Sequence, residues 1–395
     1  MDSTELVELL SSESLNLLDS LPEWTAKDDV LTAVSALRKA GHSPALVAAV
    51  LSQSKLRAKA RGKFGPFASR MLFTEAGLEQ ATRLQVAALH AGRFQAAGLT
   101  DIADLGSGIG GDAMAIAALD LAVTAVELDE VTAAIAAYNL TPFENATVLN
   151  ADVTAVDTSA FDGLYLDPAR RTAGHSNTSR IIDPADYSPT LDFAFTLAAA
   201  KPTGIKLGPG IDRDLIPAEA EAQWVSVDRD VVELGLWFGA VARPGIRRSA
   251  LVIGAHGMAE LSAEADSEDA EAGTLGEYLY EPDGAVIRAR LIGDLARRLD
   301  ARMLSSGIAY LTADTSVETP FATAFRVTDV LPYDERTLRK ELARRGIGSL
   351  EIKKRGVDVD PAALRRKLQL KGRASATLFV TRVAGRHSAL LAERL

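Results

Sequence analysis

Asp104-Leu105-Gly106-Ser107-Gly108-Ile109-Gly110-Gly111-Asp112 is the stretch that decides how this 395-residue chain folds. It follows an apolar run at 102–105 and opens an Ala-rich segment at 112–119, so a strand passes into a helix through closely spaced glycines. In that context glycines let backbone amides approach a ligand at a helix N-terminus. Gly106, Gly108 and Gly111 satisfy the spacing G-x-G-x-x-G, which keeps a dinucleotide enzyme open beside a tight turn that holds nothing.

Working outward, apolar runs at 122–127, 147–150 and 164–166 alternate with helical stretches at 112–119 and 131–139. Strand and helix alternating at this spacing predict a doubly wound parallel sheet. Residues 205–207 supply a fifth strand, 224–227 and 249–253 later ones, and 232–241 a further candidate, with the sheet ending near Gly254.

Acidic residues at the strand ends narrow the ligand. Asp104 stands two residues before the first glycine, where a carboxylate repels a pyrophosphate but attracts the cationic amino end of S-adenosylmethionine. Glu127 ends the second strand, placed to accept hydrogen bonds from both hydroxyls of a ribose in either cofactor. Asp152 follows the third strand and could accept from an adenine amino group, or simply be a solvated loop acid, while Asp129 reads as a helix N-cap.

At the fourth strand comes Leu164-Tyr165-Leu166-Asp167-Pro168-Ala169-Arg170-Arg171, an acid and a proline at the carboxyl end of a central strand, where open α/β sheets place their ligands. Together with residues 104–110, Glu127 and Asp152, this stretch resembles the class I S-adenosylmethionine-dependent methyltransferases over about residues 99–255. The resemblance implies a Rossmann-like seven-stranded sheet and a donor site formed by Asp104, Gly106, Ser107, Gly108, Gly110, Glu127, Leu128, Asp152 and Asp167. In that family a D/N/S-P-P-aromatic tetrapeptide marks amino-group methylation. Carried over, Asp167 orients the amine and helps dispose of its proton, and the Pro168 carbonyl accepts a second hydrogen bond. The chain departs from the pattern at Ala169 and at Arg170, which replaces the aromatic residue and could stack on a base, hold a phosphate or pair with a carboxylate; Arg171 has the weaker case.

The flanks are of a different kind. Residues 4–50 carry apolar residues at helical spacing, and a second helix is predicted from Thr74 to about Ala97. Between them Lys55, Arg57, Lys59, Arg61 and Lys63 alternate with uncharged residues and lead into Phe64 and Phe67, combining charge with rings as single-stranded nucleic acid binding requires, or forming a basic connector capped by core Phe residues. Acidic residues crowd 256–277, read as a solvated linker, and 278–288 reads as a hairpin turning at Glu281-Pro282-Asp283-Gly284. The end of the chain reads as a strand at 325–330, a helix at 334–345, a strand at 349–354, a helix at 361–368 and a strand at 376–383. The expected organisation is a helical region over 1–98, a donor-binding domain over 99–255, an acidic linker with a small β/α segment over 256–320, and a basic α/β domain over 321–395.

Charge is distributed along the same lines. Residues 321–395 hold 17 Lys and Arg against 8 Asp and Glu, a net of +9, which leaves 26 against 45 over residues 1–320, a net of −19. A basic module on an acidic body points to nucleic acid at one end. The whole arrangement is similar to bacterial methyltransferases with a THUMP-like domain, a domain type associated with RNA and mostly with transfer RNA.

Absences define the chemistry further. With no Cys, the chain has no disulfide, thiolate metal site or Cys nucleophile, so the usual route to carbon 5 of a pyrimidine is closed. Five His argue against a His-rich metal site, and no apolar run reaches the ~18–20 residues of a membrane span, so a cytoplasmic address is the expectation. The expected activity is methyl transfer from S-adenosylmethionine to a base nitrogen of transfer or ribosomal RNA, with residues 321–395 and 55–67 gripping the RNA. The alternatives are a protein or small-molecule acceptor, a non-catalytic RNA-binding protein on the same scaffold, and an NAD-dependent oxidoreductase.

Overall fold

In the computed structural model the described residues are 3–21, 27–170 and 187–395. The apolar runs form the strands expected of them: β1 (Asp101–Leu105), β2 (Ala122–Glu127), β3 (Ala146–Asn150), β4 (Gly163–Leu166), β5 (Thr203–Leu207), β6 (Glu221–Val227), β7 (Asp230–Phe238), β8 (Arg248–Gly254) and β9 (Gly257–Ala263). They hydrogen-bond in the order β3-β2-β1-β4-β5-β7-β6-β8-β9. The pairs β1/β2, β1/β4, β2/β3, β4/β5 and β6/β8 are parallel, and β8/β9 is antiparallel. The order reverses beside β1, which opens a crevice at the carboxyl ends of β1 and β4.

The sheet has nine strands where seven were expected, and its edge lies beyond Gly254. Residues 257–263, read from their acids as loop, pair with the whole of β8. On this edge strand the acid at 260 alternates with the buried Leu261, and Gln223 and Ser249 donate to the Glu260 carboxylate, so composition concealed a half-buried strand.

Five helices precede the sheet in the described chain up to residue 80: α1 (Ser3–Leu9), α2 (Ser12–Ser20), α3 (Lys27–Lys39), α4 (Pro44–Phe64) and α5 (Glu75–Gln80). Then comes α6 (Leu84–Ala96). The single helix expected over 74–97 is thus interrupted at 81–83. Lys63 explains the break, because its ammonium donates to the carbonyls of Leu78 (2.9 Å), Glu79 (2.6 Å) and Ala81 (2.7 Å), capping α5 from outside. Phe64, Phe73, Leu78, Ala87, Ala91 and Phe94 are buried in one core with Ile102, Ile109, Ala113 and Tyr165. The helices α7 (Gly111–Ala118) and α8 (Glu130–Leu140) connect β1, β2 and β3.

A second sheet has seven strands, contributed by β10 (Tyr278–Pro282), β11 (Arg302–Ser305), β12 (Ile308–Ala313), β13 (Ala322–Pro332), β14 (Ile347–Lys354), β15 (Ala374–Val383) and β16 (Arg386–Arg394). The expected hairpin over 278–288 is instead a strand followed by a short helix, Gly284–Arg288, because the Asp283 carboxylate caps the Ala285 amide at 2.8 Å. The chain divides into two compact units, one of Met1–Leu207, Ile211–Pro217 and Leu236–Arg243, the other of Gly208–Gly210, Ala218–Gly235 and Pro244–Leu395.

Candidate active site

All residues of the candidate site belong to the first unit. Gly106 has φ +92°, and a Cβ there would lie 3.3 Å from the Asp167 carbonyl oxygen, so the glycine turn after β1 runs directly along the backbone that leaves β4. The turn is pinned by the Gly106 and Ser107 amides, which both donate to the Val126 carbonyl at 2.9 and 3.0 Å. Gly110 (φ +85°) then delivers the chain into α7 in a left-handed conformation that other residues resist.

Asp104 ends in this crevice wholly buried. Among the described residues its Oδ2 has no hydrogen-bond partner, nor has the buried Ser107 hydroxyl. Burial first, then the nearby charges of Asp112 and Asp167, hold the Asp104 carboxyl well above the usual carboxylate range. Two buried, unsatisfied oxygens beside a glycine cradle suit a ligand that carries a cationic donor, and the amino end of S-adenosylmethionine is one.

Glu127 faces the same turn, accepting from the Gly108 amide (Oε2, 3.0 Å) and the Asp129 amide (Oε1, 2.9 Å). Each carboxylate oxygen has a second lone pair for a ribose hydroxyl. Leu128, next in sequence, is an exposed apolar side chain. Asp129 is the N-cap of α8, as its sequence context indicates, accepting from the Thr132 amide at 2.8 Å. Asp152 is exposed, and its Oδ1 accepts from the Thr154 amide and hydroxyl at 2.8 and 2.7 Å.

Asp167 and the buried Pro168 follow β4 at its carboxyl end. The Arg170 backbone pairs with Tyr187, whereas the Arg170 side chain and Arg171 lie outside the described residues.

The sequence reading missed the groups behind Asp167. The Lys206 ammonium, from β5, lies 2.5 Å from Asp167 Oδ2 and donates to the Thr82 hydroxyl at 3.0 Å. Thr82 donates to Asp112 Oδ2 at 2.7 Å, and His90 Nδ1 lies 2.8 Å from Asp112 Oδ1. Burial alone would raise the Asp112 carboxyl, but the hydrogen bond and charge of His90, with Lys206 and Thr82, bring it below the usual range. The available signal was a lysine inside the apolar run Ile205-Lys206-Leu207, directly before Gly208-Pro209-Gly210.

Of residues 55–67, several serve the fold. Phe64 is buried and offers no stacking face, Arg57 is buried with bonds to the Met71 carbonyl (2.9 Å) and Asp19 (2.7 Å), and Lys63 caps α5. Phe67 is exposed.

Comparison with known proteins identifies the family. The chain is 33% identical over 338 residues to a Mycobacterium tuberculosis (strain ATCC 25618 / H37Rv) protein named as an uncharacterized S-adenosylmethionine-dependent methyltransferase, a match covering 83% of this chain and 90% of the relative. The counterpart in strain CDC 1551 / Oshkosh matches equally. The chain belongs to the S-adenosylmethionine-dependent methyltransferases, and S-adenosylmethionine, not NAD, is its cofactor. Within that family it carries a C-terminal match, over residues 322–394, to the family model described as THUMP domain-like, and residues 2–60 match a domain of unknown function, DUF8688. A solved structure from Porphyromonas gingivalis W83, described as a candidate methyltransferase, has the same fold, with TM-score 0.73, 21% identity and coverage of 100% and 99% of the two chains. Among the described residues no helix is long and apolar enough to cross a membrane.

Proposed function

We propose that the chain methylates a base nitrogen of RNA. The observation that supports this most is the placement of Asp167-Pro168 at the carboxyl end of β4, with the Asp167 carbonyl against the Gly106 turn. The Asp167 carboxylate and the Pro168 carbonyl that follows it would accept the two N–H bonds of an amino group and leave its lone pair directed across the crevice. S-adenosylmethionine supplies an electrophilic methyl group on a sulfonium sulfur. As the acceptor nitrogen gives its lone pair to that methyl, Asp167 is placed to take the nitrogen's proton and pass it to solvent.

RNA as the acceptor is supported by the second unit. Its helix α9 (Glu335–Arg344) exposes Arg336 and Lys340 four residues apart on one stripe, whose next cation, Arg344, pairs with Glu341 at 3.1 Å, and Arg366, Lys371 and Arg373 are also exposed. Several other cations of this region are engaged internally: Arg345 with Asp329 and Glu341, Lys353 with Glu281, Lys367 with Glu335, and Arg365 with the Leu350 carbonyl. The exposed set, not the net charge, is therefore the candidate phosphate-binding surface.

The test is transfer of labelled methyl from S-adenosylmethionine into total RNA from cells lacking the protein, fractionated by size, with Asp167→Ala as control. Label in one RNA class that vanishes with the variant is expected. Donor binding without label in any RNA would refute RNA as the acceptor.

A further inference from the structure

Four elements that meet behind Asp167 form one polarised hydrogen-bonded line. His90 on α6 lies 2.8 Å from Asp112 Oδ1 at the start of α7, and both are buried. Thr82, in the link between α5 and α6, spends its only hydroxyl proton on Asp112 Oδ2. The Thr82 oxygen is left as an acceptor, and it accepts from Lys206 Nζ at 3.0 Å. Lys206 also reaches the Gln80 carbonyl at 3.4 Å, and it ends 2.5 Å from Asp167 Oδ2. His90, Asp112 and Thr82 are buried, whereas the Lys206 side chain is 12% and that of Asp167 31% exposed, so the line opens at the acceptor end.

We propose that Lys206 is a positioning residue for methyl transfer, fixing the Asp167 carboxylate at the acceptor through a chain anchored on Asp112 and Thr82. The proposal rests on the reading of Asp167 as the group that receives the acceptor amine. A carboxylate on a short side chain rotates about two bonds, and an ammonium locked by Thr82 and the Gln80 carbonyl removes that freedom on one edge. The same ammonium favours the charged carboxylate, the form that accepts N–H bonds. Asp104 feels the charges of Asp112, Asp167 and Lys206, and Lys63 feels that of Lys206, so Asp104, Asp112 and Lys63 are charged neighbours of the Lys206–Asp167 pair.

Two measurements decide it. In the first, the full-length protein carries carboxyl-13C aspartate, the Asp167 resonance is assigned by its loss in Asp167→Asn, and its titration is followed in Lys206→Met, Thr82→Val and Thr82→Ser. Removing an ammonium 2.5 Å from Asp167 Oδ2 takes away a charge that favours the ionised carboxylate, so its titration should climb by about one pH unit or more. Thr82→Val should move it less in the same direction, and Thr82→Ser should leave it in place. An unmoved Asp167 titration in Lys206→Met overturns the proposal without reference to any acceptor. In the second, methyl transfer to undermethylated RNA should fall about 100-fold in kcat in Lys206→Met, the loss expected of a misplaced reacting group, with donor Kd within about twofold and partial recovery in Lys206→Arg. Donor affinity falling in step with kcat would make Lys206 a donor-site group and overturn the proposal. Absence of transfer by the wild type would refute the RNA reading, while the carboxyl titration would still decide the role of Lys206.

Discussion

Replacing Asp104 by Asn should move stability and donor binding in opposite directions. In the folded protein Asp104 is wholly buried, its Oδ2 lacks a partner among the described residues, and burial with the charges of Asp112 and Asp167 raises its carboxyl well above the usual range. A carboxyl raised on folding binds more protons in the native state than in the unfolded one. Its contribution to stability is present below the unfolded value, near about 4, and is lost as pH rises through the folded value. At pH 8 the wild type without donor therefore carries a buried acceptor unsatisfied or a buried charge unpaired, a defect of about 1–3 kcal/mol. The neutral amide does not titrate, so Asp104→Asn should raise the melting temperature at pH 8 by about 2–4 °C per kcal/mol recovered, the scaling for a unit of roughly two hundred residues, and should flatten its decline between pH 5 and 8.

Donor binding should respond the other way, because the charge that costs stability is the one proposed to meet the donor's amino group. Loss of a charge-assisted hydrogen bond of about 1.5–3 kcal/mol weakens Kd by about 10- to 150-fold. Differential scanning calorimetry at several pH values, paired with titration calorimetry of S-adenosylmethionine, reads both effects. An Asp104→Asn protein less stable than wild type at pH 8, or one that binds the donor within threefold of wild type, would refute the reasoning.

Three further substitutions test separate parts of the structure. Asn139→Ala removes a buried side chain that accepts from the Leu72 amide (2.8 Å) and donates to the Leu72 and Ile109 carbonyls (3.1 and 2.9 Å), so a loss of about 3 kcal/mol in urea unfolding is expected, with weaker donor binding because Ile109 belongs to the glycine turn. Gly106→Val puts a branched side chain at φ +92° with its Cβ about where the Asp167 carbonyl oxygen allows only 3.3 Å, and saturable donor binding should vanish in calorimetry while the far-UV circular dichroism is kept. Arg336→Glu with Lys340→Glu should weaken RNA binding in filter assays and flatten its salt dependence, leaving donor affinity unchanged.

Much of this was legible in the sequence because it is local. The strand from 101 to 105, the glycine turn and the helix from 111 are fixed by residues adjacent in the chain, and so is the cap at Asp129. What escaped was set by distant partners. Residues 257–263 are strand because β8 lies beside them, and 81–83 are not helix because Lys63 takes the carbonyls that would have continued α5. Lys63 and Arg57 look like solvated cations in an alternating basic run, yet on a helix the alternation winds around the axis and turns some of them inward. Lys206 escaped for a related reason: a single cation in an apolar run has no periodicity, and its meaning comes from Asp167 and Thr82, 39 and 124 residues away.

The same long-range partners place the helices before residue 98 in one compact unit with the glycine turn and Asp167. Thr82 and His90 are the side chains that satisfy Asp112, and Phe64, Leu78 and Phe94 complete the core around Ile109 and Tyr165. A chain that begins at Leu99 would keep every glycine of the donor turn and both Asp104 and Asp167. It would also strip Asp112 of Thr82 and His90 and expose the apolar face of α7 that Phe64, Leu78 and Phe94 help to bury. The expected result is an insoluble or molten protein without donor binding, read by near-UV circular dichroism and calorimetry. A truncated protein that melts cooperatively and binds S-adenosylmethionine like the full chain would show that the site is self-sufficient after residue 98 and that the Thr82–Lys206 contact is incidental to it.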